Sequence, residues 1–367
     1  MRNSGPFRSV LIFGGAGFIG SNWAHYLLQN TDAQVHVFDN LSRRGVTQNL
    51  ADLREAARNS ERLKITIGDV RDRALVNRAV SSATDIFNFA AQVAVTSSID
   101  DPRHDFDVNL GGTFNILEAA RLSGNRPFLL FTSTNKVYGD MSSVRLTSTG
   151  LRHEYAETTG TSESQPLDFH SPYGCSKGAA DQYVRDYARI YDLPTVVFRM
   201  SCIAGPRQFG NEDQGWVAHF LYSALQDNPL LIYGDGRQVR DVLCVDDLVR
   251  AFNAVRVNLK RTAGEIYNVG GGIKNTVSLL ELLKEIKQFT GREVRYRFCP
   301  VRPGDQLVYI TDYSKIHVHT GWQPRVTVRG TLERIHDWWL SNRDLFIPET
   351  PLEAPSAADL QEVQEAA

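Results

Sequence analysis

The sequence predicts an α/β protein built on a doubly wound parallel sheet, with a smaller domain interleaved toward its carboxyl end. Two observations predict this fold. Short apolar runs alternate with segments of helical periodicity over the first two hundred residues, and a glycine-rich turn follows the first run. Near-continuous apolar strands are typical of a parallel sheet covered by helices on both faces, which is the Rossmann-type arrangement.

Six apolar runs are the predicted strands of the sheet: Ser9–Gly14, Gln34–Asp39, Leu63–Asp69, Asp85–Ala91, Pro127–Ser133 and Pro194–Ser201. Between the fourth and fifth, the segment Asp107–Leu122 has an apolar stripe at helical spacing. This alternation favours right-handed strand–helix–strand units.

The predicted domains follow from where the alternation ends. Residues 1–200 are expected to bind the cofactor, with 239–268 returning to the same domain. Residues 201–238 and 269–345 are expected to form a smaller substrate-binding domain, with a helix at Leu279–Thr290. The segment 346–367 is rich in Pro, Glu, Ala and Gln, and we expect it to be disordered.

Composition excludes several classes of function. The 367 residues carry a formal net charge of −2 with both signs scattered, so no basic surface is expected for nucleic acid or an anionic membrane. No apolar run approaches the ~20 residues that span a bilayer. The four cysteines are widely spaced, so we expect neither disulfides nor a metal site. A cytoplasmic location is expected.

The glycine-rich turn predicts a dinucleotide site. Gly14, Gly17 and Gly20 recur every three residues and open a helix, whose free amides can bind a pyrophosphate. Asp39 ends the second strand, where its carboxylate can bind ribose hydroxyls and repel a 2′-phosphate. NAD is therefore the predicted cofactor, although Arg43 and Arg44 leave NADP open.

The segment from Ser171 to Lys177 predicts a proton-transfer pair. Ser171 is a good helix N-cap and Pro172 suits the first helical position, so Tyr173 and Lys177 share one helix face. A tyrosine acting as a base near pH 7 needs its pKa lowered by roughly three units, or about 4 kcal/mol. A helix dipole supplies only about 0.3–1 kcal/mol, so a lysine ammonium and a positively charged nicotinamide must supply most of it.

The three-residue glycine spacing and the Tyr173/Lys177 pair together resemble the extended short-chain dehydrogenase/reductase superfamily. The resemblance implies that Thr134 holds the substrate hydroxyl and passes its proton to Tyr173. The predicted cofactor contacts are Gly14, Gly17, Phe18, Ile19, Gly20, Asp39, Asn40, Asp69, Val70, Ala90, Ala91, Gln92, Asn109, Tyr173, Lys177 and Arg199.

Extended members of that superfamily mostly act on nucleotide sugars, so the resemblance implies a nucleotide-diphosphate sugar as substrate. Arg207, Arg240 and Arg302 match arginines that grip the nucleotide and its diphosphate. The predicted substrate contacts are Gln92, Ser133, Thr134, Asn135, His170, Arg207, Gln214, Trp216, Arg240, Arg302 and Asp305. The resemblance also implies a homodimer formed through the helices containing Asn109–Leu122 and Tyr173–Tyr191.

The two residues after Thr134 narrow the reaction. Sugar 4,6-dehydratases of the superfamily have Asp-Glu there as acid and base, whereas this chain has Asn135 and Lys136, so a dehydratase is not expected. An epimerase, or a simple dehydrogenase or reductase, remains.

Four longer segments resemble the CDP-paratose 2-epimerase family: residues 133–140, 167–183, 213–217 and 237–243. This resemblance implies oxidation at sugar carbon 2 by tightly bound NAD and return of hydride to the opposite face. Met200, Cys202 and Cys244 depart from the family pattern, so another sugar fits equally well. A UDP-sugar 4-epimerase, another nucleotide-sugar oxidoreductase and a non-catalytic NAD-binding regulator stay open.

Overall fold

The computed structural model describes residues 6–58, 60–302 and 304–346. Of the tail predicted to be disordered, 346–367, only Phe346 is described, and it is buried at the end of a 3₁₀ turn, against the prediction; the rest lies outside the described residues. The strands are β1 (Ser9–Phe13), β2 (Gln34–Asp39), β3 (Leu63–Ile67), β4 (Asp85–Asn88), β5 (Phe128–Thr134), β6 (Leu146–Thr149), β7 (Arg152–Tyr155), β8 (Thr195–Met200), β9 (Cys202–Ala204), β10 (Leu230–Tyr233), β11 (Val239–Cys244), β12 (Glu265–Val269), β13 (Thr276–Ser278), β14 (Tyr296–Cys299) and β15 (Val308–Tyr309).

The helices are α1 (Phe18–Asn30), α2 (Val46–Ala57), α3 (Arg73–Val80), α4 (Val95–Asp100), α5 (Pro102–Phe106), α6 (Gly112–Leu122), α7 (Ser171–Tyr191), α8 (Trp216–Gln226), α9 (Val245–Val257), α10 (Leu259–Thr262), α11 (Leu279–Thr290), α12 (Ser314–Thr320) and α13 (Val328–Ser341). A π-helical turn occupies Asp107–Gly111, and short 3₁₀ turns occupy Asn135–Tyr138, Ile273–Asn275 and Arg343–Phe346. None of the described helices has the length and apolar character needed to cross a bilayer.

A seven-stranded parallel sheet forms the centre of the main domain, in the order β12-β8-β5-β4-β1-β2-β3. This confirms the predicted doubly wound fold and all six predicted strands. The third and fourth strands end earlier than predicted, at Ile67 and Asn88, and the residues beyond them form loops at the sheet edge. Because β1 lies between β2 and β4, the order reverses there, and such a reversal opens a crevice at the carboxyl ends of the strands.

Helices cover both faces of the sheet. Trp23 of α1 and Phe252 of α9 belong to the apolar core on one face. Ile116 of α6 and Val184 of α7 belong to the core on the other. All seven residues of β5 are buried as a result, which accounts for the apolar run over its first four residues, Phe128–Phe131.

The smaller domain has its own core beneath α8, α11 and α13, where Leu221, Leu282 and Ile335 are buried together. Helix α11 has the predicted bounds, and its first turn is closed by a capping box between Ser278 and Glu281. Strand β11 pairs with β9, β13 and β15 in a small sheet, whereas α9 and β12 lie in the main domain. The segment 239–268 therefore contributes β11 to the small sheet, and α9 and β12 to the main domain. The domain limits stay a prediction.

Candidate active site

A first cavity of about 430 Å³ lies at the carboxyl ends of β1, β2 and β4. The sequence-predicted residues that line it share a position on strand-end loops or the start of α1: Gly14, Gly17, Phe18, Ile19, Gly20, Asp39, Asn40, Asp69, Val70, Ala90, Ala91 and Gln92. The structure therefore brings together twelve of the residues predicted to contact a dinucleotide.

The glycine loop has the shape that a dinucleotide requires. Gly14 has φ +70°, and a Cβ there would lie 2.8 Å from the backbone nitrogen of Ala90. At Gly17, which precedes α1, a Cβ would approach only the Gly14 oxygen, at 3.2 Å. The space above the helix N-terminus is therefore open to a phosphate group.

Asp39 holds the loop and faces the same cavity. Its Oδ2 accepts a hydrogen bond from Ala16 N at 3.0 Å, and its Oδ1 accepts one from Leu41 N at 2.9 Å. Burial raises the pKa of this carboxyl, although these backbone bonds oppose the shift. The loop and carboxylate together fit a dinucleotide, with Asp39 placed to bind ribose hydroxyls.

A segment of the smaller domain covers part of this cavity. Arg207 lines the first cavity, not the second, and its Nη1 donates to Asn22 Oδ1 of α1 at 3.2 Å. The next but one residue, Phe209, packs over Gly45, where a Cβ would collide with the ring. Arg207 thus lies beside the cofactor loop, and its role at the diphosphate stays a prediction.

A second cavity of about 310 Å³ lies between the two domains, next to the first. Val93 and Gln214 line both cavities, so the two adjoin. The sequence-predicted residues on its wall are Thr134, Asn135, Tyr173, Gln214, Trp216, Arg240, Arg302 and Asp305.

Tyr173 lies in the first turn of α7 and lines the second cavity. Helix α7 begins at Ser171, so Ser171 is its first residue and not the N-cap that the sequence predicts. Its hydroxyl still accepts a hydrogen bond from Gly174 N at 3.2 Å. The Tyr173 backbone N donates to Ser98 Oγ of α4 at 3.2 Å. Burial raises the pKa of Tyr173 to about 12, and the neighbouring Thr134 hydroxyl opposes the shift.

Lys177 lies behind Tyr173 and lines neither cavity. It is 3% exposed, its Nζ donates to Thr132 O at 2.6 Å, and the ammonium lies 4.2 Å from the centre of the Phe131 ring. Burial lowers the pKa of Lys177 to about 7, against the attraction of Asp105 and Asp181. The lysine thus fixes the end of β5 next to Thr134.

Asn109 supports the site from the π-helical turn. Its Nδ2 donates to Gln92 O (3.1 Å), Asp105 Oδ1 (3.0 Å) and Ser176 Oγ (3.1 Å), while its Oδ1 accepts from Gln92 N at 2.9 Å. Ser176 also donates to Asp105 at 2.5 Å. The turn therefore joins α7 to the loop after β4, and π-helical turns often occur at functional sites.

The two residues after Thr134 have different partners. Asn135 Nδ2 donates to Gln306 Oε1 at 2.8 Å, and Gln306 is fully buried. Lys136 Nζ donates to Gly304 O at 3.1 Å and to Asp305 Oδ1 at 3.3 Å. Neither position offers a carboxylate to the cavity.

Besides Asn109 and Lys177, three further predicted residues line neither cavity. Arg199 is buried in an ion pair with Asp181 (2.7 Å), so we assign it to the packing of α7 on β8 and not to the cofactor. His170 turns to Asp168, 3.1 Å away, with Asp140 at 4.0 Å, instead of shaping the sugar cavity. Ser133 is 2% exposed, and its hydroxyl has no hydrogen-bond partner among the described residues.

Several residues of the site were missed from the sequence. Glu212, Asp213, Tyr233 and Lys136 line the second cavity, and Asp105 braces Asn109. Lys136 lies in the segment 133–140, where the sequence indicates only that a carboxylate is missing. The others carry no local signal, because long-range contacts place them.

Comparison with known proteins agrees with this geometry. A family model described as GDP-mannose 4,6 dehydratase matches residues 11–335. A CDP-paratose 2-epimerase of Salmonella typhi is 42% identical over 337 residues, covering 90% of this chain and 98% of that relative.

Two solved structures are similar over most of the chain. A dTDP-glucose 4,6-dehydratase of Streptomyces venezuelae with NAD bound has a TM-score of 0.78 at 30% identity, covering 92% of this chain and 98% of its own. A UDP-glucuronic acid 4-epimerase of Bacillus cereus, in complex with UDP-glucuronic acid and NAD, has a TM-score of 0.78 at 25% identity, covering 91% and 99%.

Proposed function

Because the chain belongs to the extended short-chain dehydrogenase/reductase family represented by the GDP-mannose 4,6 dehydratase model, we propose that it is a CDP-paratose 2-epimerase. The chain is an NAD-dependent enzyme of the nucleotide-sugar epimerase and dehydratase group. The finer proposal names the carbon that is inverted and the CDP-linked sugar.

One observation carries the proposal that the enzyme is an epimerase. Elimination of water needs an acid and a base beside the sugar, and the two residues after Thr134 provide an amide and an ammonium. The choice of carbon 2 and of a CDP-linked sugar draws support from the 42% identical relative.

The chain's own residues account for proton transfer. Bound NAD supplies the acceptor and donor of the hydride together with a positive charge in this buried site. Thr134 and Tyr173 both line the second cavity, so a substrate hydroxyl placed against them can pass its proton to the Tyr173 oxygen. Because burial raises the pKa of Tyr173 to about 12, the phenol carries its own proton near pH 7. Additional positive charge must lower this pKa, so that Tyr173 is ionised before it accepts the substrate's proton.

Inversion requires the oxidised sugar to present its other face before hydride returns. The second cavity, at about 310 Å³, provides room for that turn while Arg240 and Arg302 hold the diphosphate end. Tyr173 then returns its proton to the same sugar oxygen.

The test is direct conversion of purified protein with CDP-paratose, followed by NMR. Appearance of CDP-tyvelose without added cofactor is the expected result. No interconversion would refute the substrate assignment. Conversion within a panel of UDP-sugars would favour the 4-epimerase alternative, an activity found among the solved structures that resemble this chain.

The homodimer expected from the sequence belongs to the same proposal. The outer faces of α6 and α7 carry exposed apolar side chains: Phe114, Leu122, Tyr183 and Ile190. The Phe114 and Tyr183 rings meet edge to face, 5.7 Å apart. Apolar patches of this kind are typical of protein interfaces. The cytoplasmic location stays a prediction.

A further inference from the structure

Lys136 is a cation in the second cavity that the proposed proton transfer does not use. Its side chain is 20% exposed and lines the cavity wall together with Thr134 and Tyr173. Its backbone N donates to Thr134 Oγ1 at 3.2 Å, so the residue belongs to the same turn as the reacting hydroxyl. An ammonium at this depth has a desolvation cost, and burial lowers the pKa of Lys136 to about 8.

The partners of Lys136 leave it able to bind a ligand. Asp305 Oδ1 receives both the Lys136 ammonium (3.3 Å) and the Arg240 Nη2 (2.7 Å), so one carboxylate faces two cations. Lysine has three N–H donors. Among the described residues, Gly304 O and Asp305 Oδ1 are the acceptors of Lys136 Nζ, which leaves one donor.

The cations of this cavity belong to two separate groups of side-chain contacts. One chain of contacts runs from Thr134 through Lys136 and Asp305 to Arg240. A separate group contains Arg302, whose guanidinium lies 3.8 Å from the centre of the Tyr233 ring and 3.2 Å from Asp213. Lys136 is therefore bonded directly to the Thr134 hydroxyl through its backbone, whereas Arg240 is connected to it only through Asp305, and Arg302 belongs to the other group.

We propose that Lys136 binds an oxygen of the substrate's sugar ring directly and thereby helps to select the sugar, while the arginines bind the diphosphate. This inference rests on the proposed function, because it assumes a nucleotide sugar oriented with its sugar at Thr134 and Tyr173. Asn135 is not assigned this role, because its side-chain Nδ2 donates to Gln306 Oε1.

The test compares the binding of two ligands to the NAD-containing enzyme by calorimetry, CDP and CDP-paratose. Lys136→Met should weaken CDP-paratose at least tenfold, the scale of one hydrogen bond to a charged group, and change CDP less than twofold. Lys136→Arg should keep much of the sugar-dependent affinity. Lys287→Met is the matched control, because Lys287 pairs with Glu293 on the surface, 57% exposed.

Other outcomes would overturn the inference. Equal weakening of CDP and CDP-paratose would place Lys136 at the diphosphate or make it only a link between the domains. Unchanged affinities would remove it from the site. If Lys136→Met fails to fold, the same comparison with Lys136→Arg and Lys136→Gln decides, since only the arginine should retain sugar-dependent binding.

Failure of the proposed function is distinguishable. If wild-type enzyme binds CDP-paratose more tightly than CDP but does not convert it, the function is refuted while the Lys136 comparison remains valid. If wild-type binds both ligands equally, no sugar contact exists and the inference on Lys136 is refuted as well.

Discussion

Tyr173 and Lys177 lie in surroundings that oppose the charge of each side chain. Burial raises the pKa of Tyr173 to about 12 and lowers the pKa of Lys177 to about 7. For Lys177 this shift from 10.5 amounts to a cost on the order of 5 kcal/mol for the charged form. This net cost to the charged form indicates that the lysine serves function and not stability.

Replacing Tyr173 by Phe should reduce epimerisation by about 10²–10⁴-fold, because the substrate hydroxyl loses its proton acceptor. Retained NAD, measured by absorbance after denaturation, should be unchanged. Tyr296→Phe, at an exposed site on β14, is the control and should keep full activity. A Tyr173→Phe enzyme that still turns over substrate at the wild-type rate would refute the assigned proton transfer. An unchanged cellular function would favour the regulator hypothesis.

Replacing Asp39 by Ser should relax the preference for NAD over NADP, because the carboxylate that would repel a 2′-phosphate is removed. The nucleotide released from the purified variant, identified by chromatography, should include NADP. NAD retention should also fall, since Asp39 accepts two backbone amides of the loop region. Asp32→Ser, at an exposed site after α1, is the control. Strict NAD retention in the Asp39 variant would contradict this role.

At the residue scale, the sequence does not predict which way a side chain points. The glycine spacing and the strand-end Asp39 are local signals, and their residues do surround the first cavity. Arg199 and His170 belong to matching segments, but Asp181 and Asp168 turn them elsewhere. Those partners become visible only when the helix and strand are packed together.

At the scale of the element, Asp107–Leu122 was predicted as one helix. The structure begins it with a π-helical turn over Asp107–Gly111, because four hydrogen bonds of Asn109 hold that turn against neighbouring segments. Phe114, an apolar residue of this segment, is 42% exposed. Periodicity identified the helix, but the tertiary contacts that reshaped its start have no sequence period.

Helix α1 and strand β2 carry histidines that should make stability depend on pH. Burial first, and then a neighbouring cation, lowers the pKa of His25 and of His36 from 6.5 to about 4. Between these values the unfolded chain binds a proton that the folded chain does not. The free energy of unfolding therefore has its full value above pH 6.5 and falls as the pH drops toward 4, by up to about 3 kcal/mol for each histidine.

Urea unfolding at pH 7 and pH 5 measures this effect. His25→Leu should lose less stability on acidification than wild-type, and the His25→Leu/His36→Leu double variant less again. An identical loss in all three proteins would show that the two histidines do not produce the pH dependence.

At the scale of the whole molecule, the exposed faces of α6 and α7 are expected to meet a second copy of the chain. Ile190→Glu, at a site 64% exposed, should convert the dimer to a monomer in sedimentation velocity, because a carboxylate would be buried without a partner. Val318→Glu is the control on α12, where the valine is 72% exposed. A wild-type protein that sediments as a monomer would refute the dimer itself.

Val93 and Gln214 line both cavities, so the two cavities adjoin. This arrangement predicts the outcome of an isotope-labelling experiment. A hydrogen taken from carbon 2 in such adjoining compartments should return to the molecule that lost it. Substrate deuterated at carbon 2 should therefore yield deuterated product, and a mixture of labelled and unlabelled substrates should show no crossover by mass spectrometry. Label lost to water, or exchanged between molecules, would mean that the intermediate leaves before the second half of the reaction.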